Sequence, residues 1–169
     1  FNFNCFDPHH PFDPPAEYLD RYCPADMPLP RSRPGELVTK TTYQRLDHQW
    51  AHNNPGEFHT AAMADDDHRQ VKAAYYAMIE LIDDQVGRMI AALEETGQLD
   101  NTLIVFMSDH GEMLGDHGIY FKGPHFYEGA VRVPLVLVWE GRFKGDVRAT
   151  GLVELVDLVP TLLEAAGLE

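Results

Sequence analysis

Hydrophobic residues recur along this chain in two patterns, and the longer pattern predicts a helix. Between residues 71 and 93 an apolar side chain returns every three or four positions, at Val71, Ala74, Tyr75, Met78, Ile82, Val86, Met89, Ile90 and Leu93. Asp65, Asp66 and Asp67 precede this stripe, and Gly97 follows it. Acidic residues favour the start of a helix and glycine its end, so we interpret the three aspartates as a cap rather than a metal site. The pattern predicts one amphipathic helix of about 27 residues.

Two shorter runs are apolar without interruption, at residues 103–107 and 133–139. Such runs are typical of strands that are buried on both faces of a parallel sheet. Residues 1–6 alternate apolar and polar positions, which predicts another short strand. Short helices are predicted within residues 14–22 and 153–166, the second with Pro160 near its first turn. This order of elements predicts an α/β fold, a doubly wound and mostly parallel sheet flanked by helices.

Residues 23–64 interrupt the regular pattern with five prolines and no clear periodicity. His48, His52 and His59 fall in this segment, but their spacing matches no compact set of metal ligands, which favours a surface loop. A long irregular segment inside a domain is more often functional than a spacer. We interpret residues 23–64 as an irregular insertion that lines the substrate pocket.

Candidate chemistry follows the first apolar run, in Ser108-Asp109-His110-Gly111. Open α/β sheets bind ligands beyond the carboxyl ends of their strands, and a carboxylate beside an imidazole there is a plausible divalent metal site. Lys122 comes later in the same glycine-rich stretch. His9 and His10 lie between two prolines near the start of the chain, in a stiff loop. Taken alone, this histidine pair and the lysine would be ordinary surface residues.

Composition narrows the classes of function. The 169 residues are one domain's worth, and the formal charge of −14 argues against a nucleic-acid partner, because no basic surface would neutralise phosphates. The chain contains no apolar run near the length of a membrane span, so we expect no membrane partner. It also shows no signal peptide, and its two cysteines do not decide a compartment. Localisation stays open.

The motifs together resemble those of the sulfatase family, within the alkaline-phosphatase-like α/β superfamily. The resemblance rests on residues 108–118, Lys122, Tyr127-Glu128, Arg132 to Leu135 and the helix start at residues 155–163. A second motif, Pro8-His9-His10-Pro11-Phe12, is similar to the family's Pro-His-x-Pro-Phe element. Many ordered elements make this resemblance far more specific than a bare Asp-His-Gly. It implies that residues 1–169 are the central and C-terminal part of a sulfatase catalytic domain.

The resemblance also implies roles for four residues. Asp109 and His110 would be metal ligands, the metal being calcium, with manganese or magnesium as alternatives. His9 and Lys122 would be catalytic and would bind the substrate's sulfate group, His9 by a hydrogen bond or by protonating the leaving alcohol. His9 follows the strand predicted at residues 1–6, and Lys122 follows the strand at residues 103–107. Parallel strands end at the same edge of a sheet, so both side chains should converge on one anion close to Asp109.

Several family elements have no counterpart in this sequence. The family's nucleophile, a formylglycine made from Cys or Ser in Cys/Ser-x-Pro-x-Arg, matches neither Cys5 nor Cys23. The family's N-terminal pair of metal-binding aspartates is absent as well. We therefore expect a fragment that is catalytically silent alone and is partnered by the remainder of its own domain. A degenerate paralogue is the alternative.

Three functions remain open from the sequence. The first is hydrolysis of a small-molecule sulfate ester by a metal-dependent, formylglycine-type sulfatase. The second is a phosphonate monoester or phosphodiester hydrolase of the same superfamily, because sulfate and phosphate esters present similar tetrahedral oxygens. The third is a non-catalytic module that binds an anion or a metal.

Overall fold

The fold is taken from a computed structural model that describes residues 1–53 and 62–168, without the side chains of residues 49–53. The helices are α1 (Ala16–Leu19), α2 (Thr42–Asn53), α3 (Asp65–Glu95), α4 (Glu128–Val131) and α5 (Leu158–Ala165). The strands are β1 (Ile104–Met107) and β2 (Leu135–Val138). Short 3₁₀ turns lie at Pro24–Asp26, Glu36–Thr39, Leu99–Asn101, Asp116–Gly118 and Leu155–Asp157.

Helix α3 is the predicted long helix and, at 31 residues, is slightly longer than expected. Its start is capped as the three aspartates predicted, because the Asp67 carboxylate accepts a hydrogen bond from the Ala64 amide at 2.8 Å. Its end is a Schellman turn, in which Gly97 has a φ of 65° and the Gln98 amide donates to the Leu93 carbonyl at 2.9 Å. The sequence therefore specified both ends of this helix.

The N-terminal part of the chain packs along α3. Tyr18 of α1 is buried, and its hydroxyl donates to the Asp84 carboxylate at 2.8 Å. Arg69 on α3 donates to the carbonyls of Ala25 and Met27, each at 2.7 Å. Helix α1 falls within the short helix predicted for residues 14–22. These contacts fix the segment that follows the two histidines against the longest element of the fold.

The two strands form a small sheet, and the chain combines it with helices as an α/β fold, as predicted. Their pairing is antiparallel, with Met107 opposite Leu135 and Ile104 opposite Val138. The parallel arrangement was therefore wrong for this pair. The connection from residue 108 to residue 134 stays at the edge where β1 ends, so β2 starts at that edge and runs back.

The strands are also less buried than their apolar runs predicted. Phe106 and Met107 are 39% and 41% exposed, and Val136 and Val138 are 49% and 47% exposed. Within the described part of the chain, β1 and β2 pair only with each other. An apolar run shows that its side chains are suited to burial, but a sheet of only two strands does not bury them on both faces.

Two further predictions differ from the structure. Residues 1–6 form no strand, although their apolar and polar positions alternate. Within residues 23–64, which were expected to be irregular, Thr42–Asn53 forms helix α2. Residues 54–61 of that segment, including His59, lie outside the described residues. Helix α5 begins at Leu158 and places Pro160 in its first turn, as expected.

A small core lies under the loop that follows β1. Met113, Ile119 and Ala130 are nearly inaccessible to solvent and pack together, with Tyr127 against them. The Gly111 amide donates to the Ala130 carbonyl at 2.8 Å, which ties the start of the loop to α4. This core gives residues 111–131 a fixed shape at the end of β1.

None of the helices in the described residues is both long enough and apolar enough to cross a membrane.

Candidate active site

His9 and Lys122 meet in the structure, although 113 positions separate them in sequence. The Lys122 ammonium lies 2.6 Å from Nε2 of His9. Nδ1 of the same imidazole is 2.8 Å from the His10 carbonyl. The carbonyl can only accept, so Nδ1 carries the proton and Nε2 accepts from the lysine; this tautomer follows from the hydrogen-bond network. The two side chains therefore meet, as predicted, whereas their convergence on an anion close to Asp109 stays a prediction.

Neighbouring rings hold the two segments together. The His10 ring lies 4.1 Å from the Phe121 ring and stacks on the His9 ring at 4.0 Å, measured between centroids. The Phe6 ring lies 4.6 Å from that of His9. Pro8 and Pro11 bracket the histidines, each after a cis peptide bond. The contact therefore joins residues 9–10 to residues 121–122 as two segments, not as two isolated side chains.

Glu112 organises the backbone just before Lys122. Its carboxylate accepts hydrogen bonds from the Phe121 amide at 2.5 Å and the Leu114 amide at 3.2 Å. Burial raises the pKa of the Glu112 carboxyl, and the bonds to these amides oppose that rise. Phe121 and Gly123, on either side of the lysine, have φ angles of 66° and 51°. Two residues in the left-handed region turn the backbone sharply around Lys122.

Asp109 and His110 lie where the sequence predicted, just beyond the end of β1. The Asp109 carboxylate is 80% exposed and the His110 imidazole 39%, and Asp109 Oδ2 is 3.8 Å from His110 Nε2. Nδ1 of His110 lies 2.9 Å from the Gly111 carbonyl, which orients Nε2 toward the carboxylate. One carboxylate and one oriented imidazole suit a divalent cation as two of its ligands. Among the side chains that the structure describes, those of residues 1–48 and 62–168, no third histidine, cysteine or acid joins them.

A second group of contacts surrounds residues 111–131, which we call the Lys122 loop. The sequence analysis did not predict these contacts. Glu36 is 9% exposed, and its carboxylate lies 2.7 Å from Nδ1 of His117 and 3.0 Å from the Lys40 ammonium. The bonds to His117 and then Lys40 lower the pKa of Glu36 to about 2. The His117 ring stacks on Tyr127 at 4.1 Å. Glu36 is therefore a charged group held almost out of solvent.

Helix α2 provides the other part of this surround. The Asp47 carboxylate lies 2.9 Å from Nε2 of His125, whose side chain is only 6% exposed. Gln44 is 2% exposed; its amide donates to the His117 carbonyl at 3.3 Å and accepts from the Tyr127 hydroxyl at 2.7 Å. The prediction that residues 23–64 line a substrate pocket remains a hypothesis, but part of that segment packs directly on the Lys122 loop.

Comparison with known proteins agrees with the motifs. The family model described as Sulfatase matches residues 5–168. An arylsulfatase of Clostridium perfringens is 39% identical over 163 residues, covering 94% of this chain and 32% of the relative. A multifunctional alkaline phosphatase superfamily protein of Trinickia caryophylli is 37% identical over 170 residues, covering 96% of this chain and 33% of the relative.

A solved structure extends the likeness to three dimensions. The phosphonate monoester hydrolase of Silicibacter pomeroyi superposes with a TM-score of 0.81 at 34% identity, over 96% of this chain and 32% of that chain. The chain thus spans about a third of the length of the relatives that it matches. The similarity covers both the His9 motif and the Lys122 loop, and the chain belongs to the sulfatase family.

Proposed function

We propose that this chain is the anion-binding part of a sulfate-ester hydrolase and supplies half of its metal site. The observation that carries the proposal is the 2.6 Å contact between His9 and Lys122. A flexible lysine meets a histidine 113 positions away, and this lysine and the Asp109–His110 pair both belong to the connection that follows β1. In a chain with a formal charge of −14, such a local cationic site is what an anionic substrate would require.

The two side chains suit the charge changes of ester hydrolysis. Lys122 carries a full positive charge that can donate to a sulfate oxygen and stabilise charge as it develops there. The bond from Nδ1 to the His10 carbonyl aims the His9 ring so that Nε2 meets the Lys122 ammonium, and an anion that enters between the two groups could contact both. Once protonated at Nε2, it can donate to a sulfate oxygen or protonate the leaving alcohol.

Asp109 and His110 would hold a divalent cation together with ligands from the rest of the protein. Such a cation acts as a Lewis acid that polarises the ester's oxygens. We propose calcium, with manganese or magnesium as the alternatives; an imidazole ligand is less usual for calcium. The nucleophile, a formylglycine by family resemblance, would also come from the rest of the protein.

A phosphonate monoester hydrolase is the second candidate function. The observation that favours it is the TM-score of 0.81 to the enzyme of that name from Silicibacter pomeroyi. A lysine and a histidine recognise the tetrahedral oxygens of sulfate and phosphonate esters in the same way. The residues of this chain therefore support both reactions, and only turnover can rank them.

The test is an assay of the full-length protein with an aryl sulfate and with the matching aryl phosphonate monoester. We expect a higher kcat/KM for the sulfate. Lys122→Ala should lower kcat by about 100- to 1000-fold, the usual cost of one transition-state donor. Lys144→Ala is the matched control, because Lys144 is exposed and belongs to the segment that follows β2.

Each outcome of this assay decides between the candidates. A higher kcat/KM for the phosphonate would establish the second function instead. Binding of sulfate without turnover of either ester would identify a non-catalytic module. Equal activity of the wild type and Lys122→Ala would overturn the proposed function of this chain, because Lys122 would then not bind the anion.

A further inference from the structure

The loop that carries Lys122 contains two histidines, and each is bound by a carboxylate from the segment before α3. His117 lies five positions before the lysine and binds Glu36; His125 lies three positions after it and binds Asp47. We name Glu36, Asp47, His117 and His125 the carboxylate–histidine brace. Both pairs join sequence-distant segments, with separations of 81 and 78 positions.

The Asp47–His125 pair lies closest to the lysine. Its bond length is 2.9 Å, and the His125 side chain is almost fully buried. The same carboxylate presses on the backbone next to Lys122, since a Cβ added to Gly123 would lie 2.7 Å from Asp47 Oδ2. The residue after the lysine is therefore fixed by its left-handed backbone and by the carboxylate against it.

The Glu36–His117 pair fixes the other side of the loop. His117 itself has a φ of 56°, a conformation that costs a non-glycine residue free energy unless its contacts hold it. Those contacts are the Glu36 carboxylate, the Tyr127 ring and the Arg31 carbonyl, to which the His117 amide donates at 2.9 Å. Gln44 bonds both His117 and Tyr127, and the Tyr127 ring lies 6.3 Å from the His125 ring between centroids, so Tyr127 links the two pairs.

Helix α2 meets this loop through polar groups. Its apolar residues Tyr43 and Leu46 are 73% and 55% exposed, whereas Gln44 is buried. An ordinary core helix would bury the apolar face instead. Burying polar groups costs free energy unless each group has a hydrogen-bond partner. A fully paired buried network therefore adds little stability, but it fixes the geometry of the groups it joins.

We infer that Asp47 and His125, supported by Glu36 and His117, are positioning residues that hold Lys122 in place for the substrate's anion. This inference rests on the proposed function, because it takes Lys122 as the anion-binding group. The brace residues need not touch substrate. Asp47 acts through His125 and Gly123, and a lysine displaced by about 1 Å can lose about 100-fold in rate.

The test uses the full-length protein and a double-mutant cycle with Lys122. Asp47→Ala should lower kcat/KM by about 10- to 100-fold, the usual range for a group that orients a site residue. Asp47→Asn should recover part of that loss, because its amide oxygen can still accept from His125. Arg45→Ala, on the exposed side of the same helix, is the control and should retain full activity.

The cycle separates positioning from general stabilisation. If Asp47 acts through Lys122, Asp47→Ala should cost less than twofold in a Lys122→Ala background. Losses that multiply in the double variant would overturn the inference. His125→Asn provides the same comparison if Asp47→Ala fails to fold.

Amide hydrogen exchange tests the brace independently of the proposed function. Asp47→Ala should accelerate exchange of the His117 and Phe121 amides at least tenfold, while the amides of α3 keep their protection. If Lys122→Ala leaves turnover unchanged, the proposed function fails, and this exchange result alone decides the brace. Unchanged exchange at both loop amides would overturn it.

Discussion

The two halves of the candidate site are built in opposite ways. His9 and Lys122 come from distant segments and are held by long-range contacts, including stacked rings and the brace around the lysine loop. Asp109 and His110 are neighbours in sequence, and their hydrogen bonds are local, from the His110 amide to Asp109 and between the His110 ring and Gly111. The Asp109 carboxylate is 80% exposed. We call His9 with Lys122 the proposed anion half and Asp109 with His110 the proposed metal half; long-range contacts hold the first, and the second stays open to further ligands.

This contrast gives each half a different expected sensitivity. Many residues together determine the shape of the loops that hold the anion half. Each single substitution there should therefore reduce function only in part. The metal half depends on few groups, so one ligand should decide whether the cation binds at all. The following variants of the full-length protein test this difference, from the largest expected effect to the smallest.

Asp109→Ala should have the largest effect. Removing the only carboxylate of the pair should abolish turnover and bound metal together, since oxygen ligands dominate the affinity for hard cations. Metal content by mass spectrometry and turnover of an aryl sulfate measure the two losses. Lys122→Ala is the contrast and should lose turnover while keeping its metal. Full metal occupancy and full activity in Asp109→Ala would refute the metal assignment.

Gly111→Ala should disrupt the packing of the residues after β1 against α4. An added Cβ would clash with the Gly129 carbonyl oxygen, which is backbone and can yield only by moving α4. We expect a loss of at least about 2 kcal/mol in the free energy of unfolding, measured by urea denaturation. Gly87 lies at an exposed position of α3, where an added Cβ would meet no atom within 4 Å. Gly87→Ala should therefore raise the free energy of unfolding by about 0.5–1 kcal/mol. Equal effects at both glycines would contradict this packing.

Glu36→Gln should have a smaller effect that depends on pH. In the wild type the pKa of the Glu36 carboxyl is lowered from 4.5 to about 2, mainly by the bond to His117. The charged form therefore contributes stability that is present above the unfolded-state value and is lost as the pH falls through the folded-state value. The stability advantage of the wild type over Glu36→Gln should shrink as the pH falls from 4.5 to about 2. Urea midpoints measure it, and an advantage that grows toward low pH would be the wrong sign.

Much of the regular structure could be predicted from the sequence. Helix α3 and both its ends followed from periodicity, the three aspartates and Gly97, because these signals are local. The positions of β1 and β2 followed from their apolar runs. Their antiparallel pairing did not, since it depends on where the connection of residues 108–134 travels.

Helix α2 shows why the rest could not be predicted. Its buried face carries Gln44 and Asp47, whereas Tyr43 and Leu46 are exposed, so hydrophobic periodicity points to the wrong side. The brace residues form no local motif, because their spacing in sequence reflects contacts across the fold. One signal was available: His117 and His125 flank Lys122 within a short glycine-rich stretch.

The meeting of His9 and Lys122 was predicted correctly but for a partly wrong reason. The prediction placed His9 after a strand in a parallel sheet, and residues 1–6 form no strand. The two residues meet because the segment of His9 and His10 packs against Phe121 and Lys122. The family motifs specified which residues belong together, whereas the elements that bring them together required the structure.

Inhibition of the full-length protein by inorganic sulfate tests the central claim most directly, because it isolates anion binding from the nucleophile. The inhibition constant should rise by about 10- to 100-fold in Lys122→Ala, the cost of one charged hydrogen bond. His9→Ala should act in the same direction, and Lys144→Ala should leave the constant unchanged. An inhibition constant in Lys122→Ala equal to that of the wild type would contradict the account, since sulfate would then bind elsewhere.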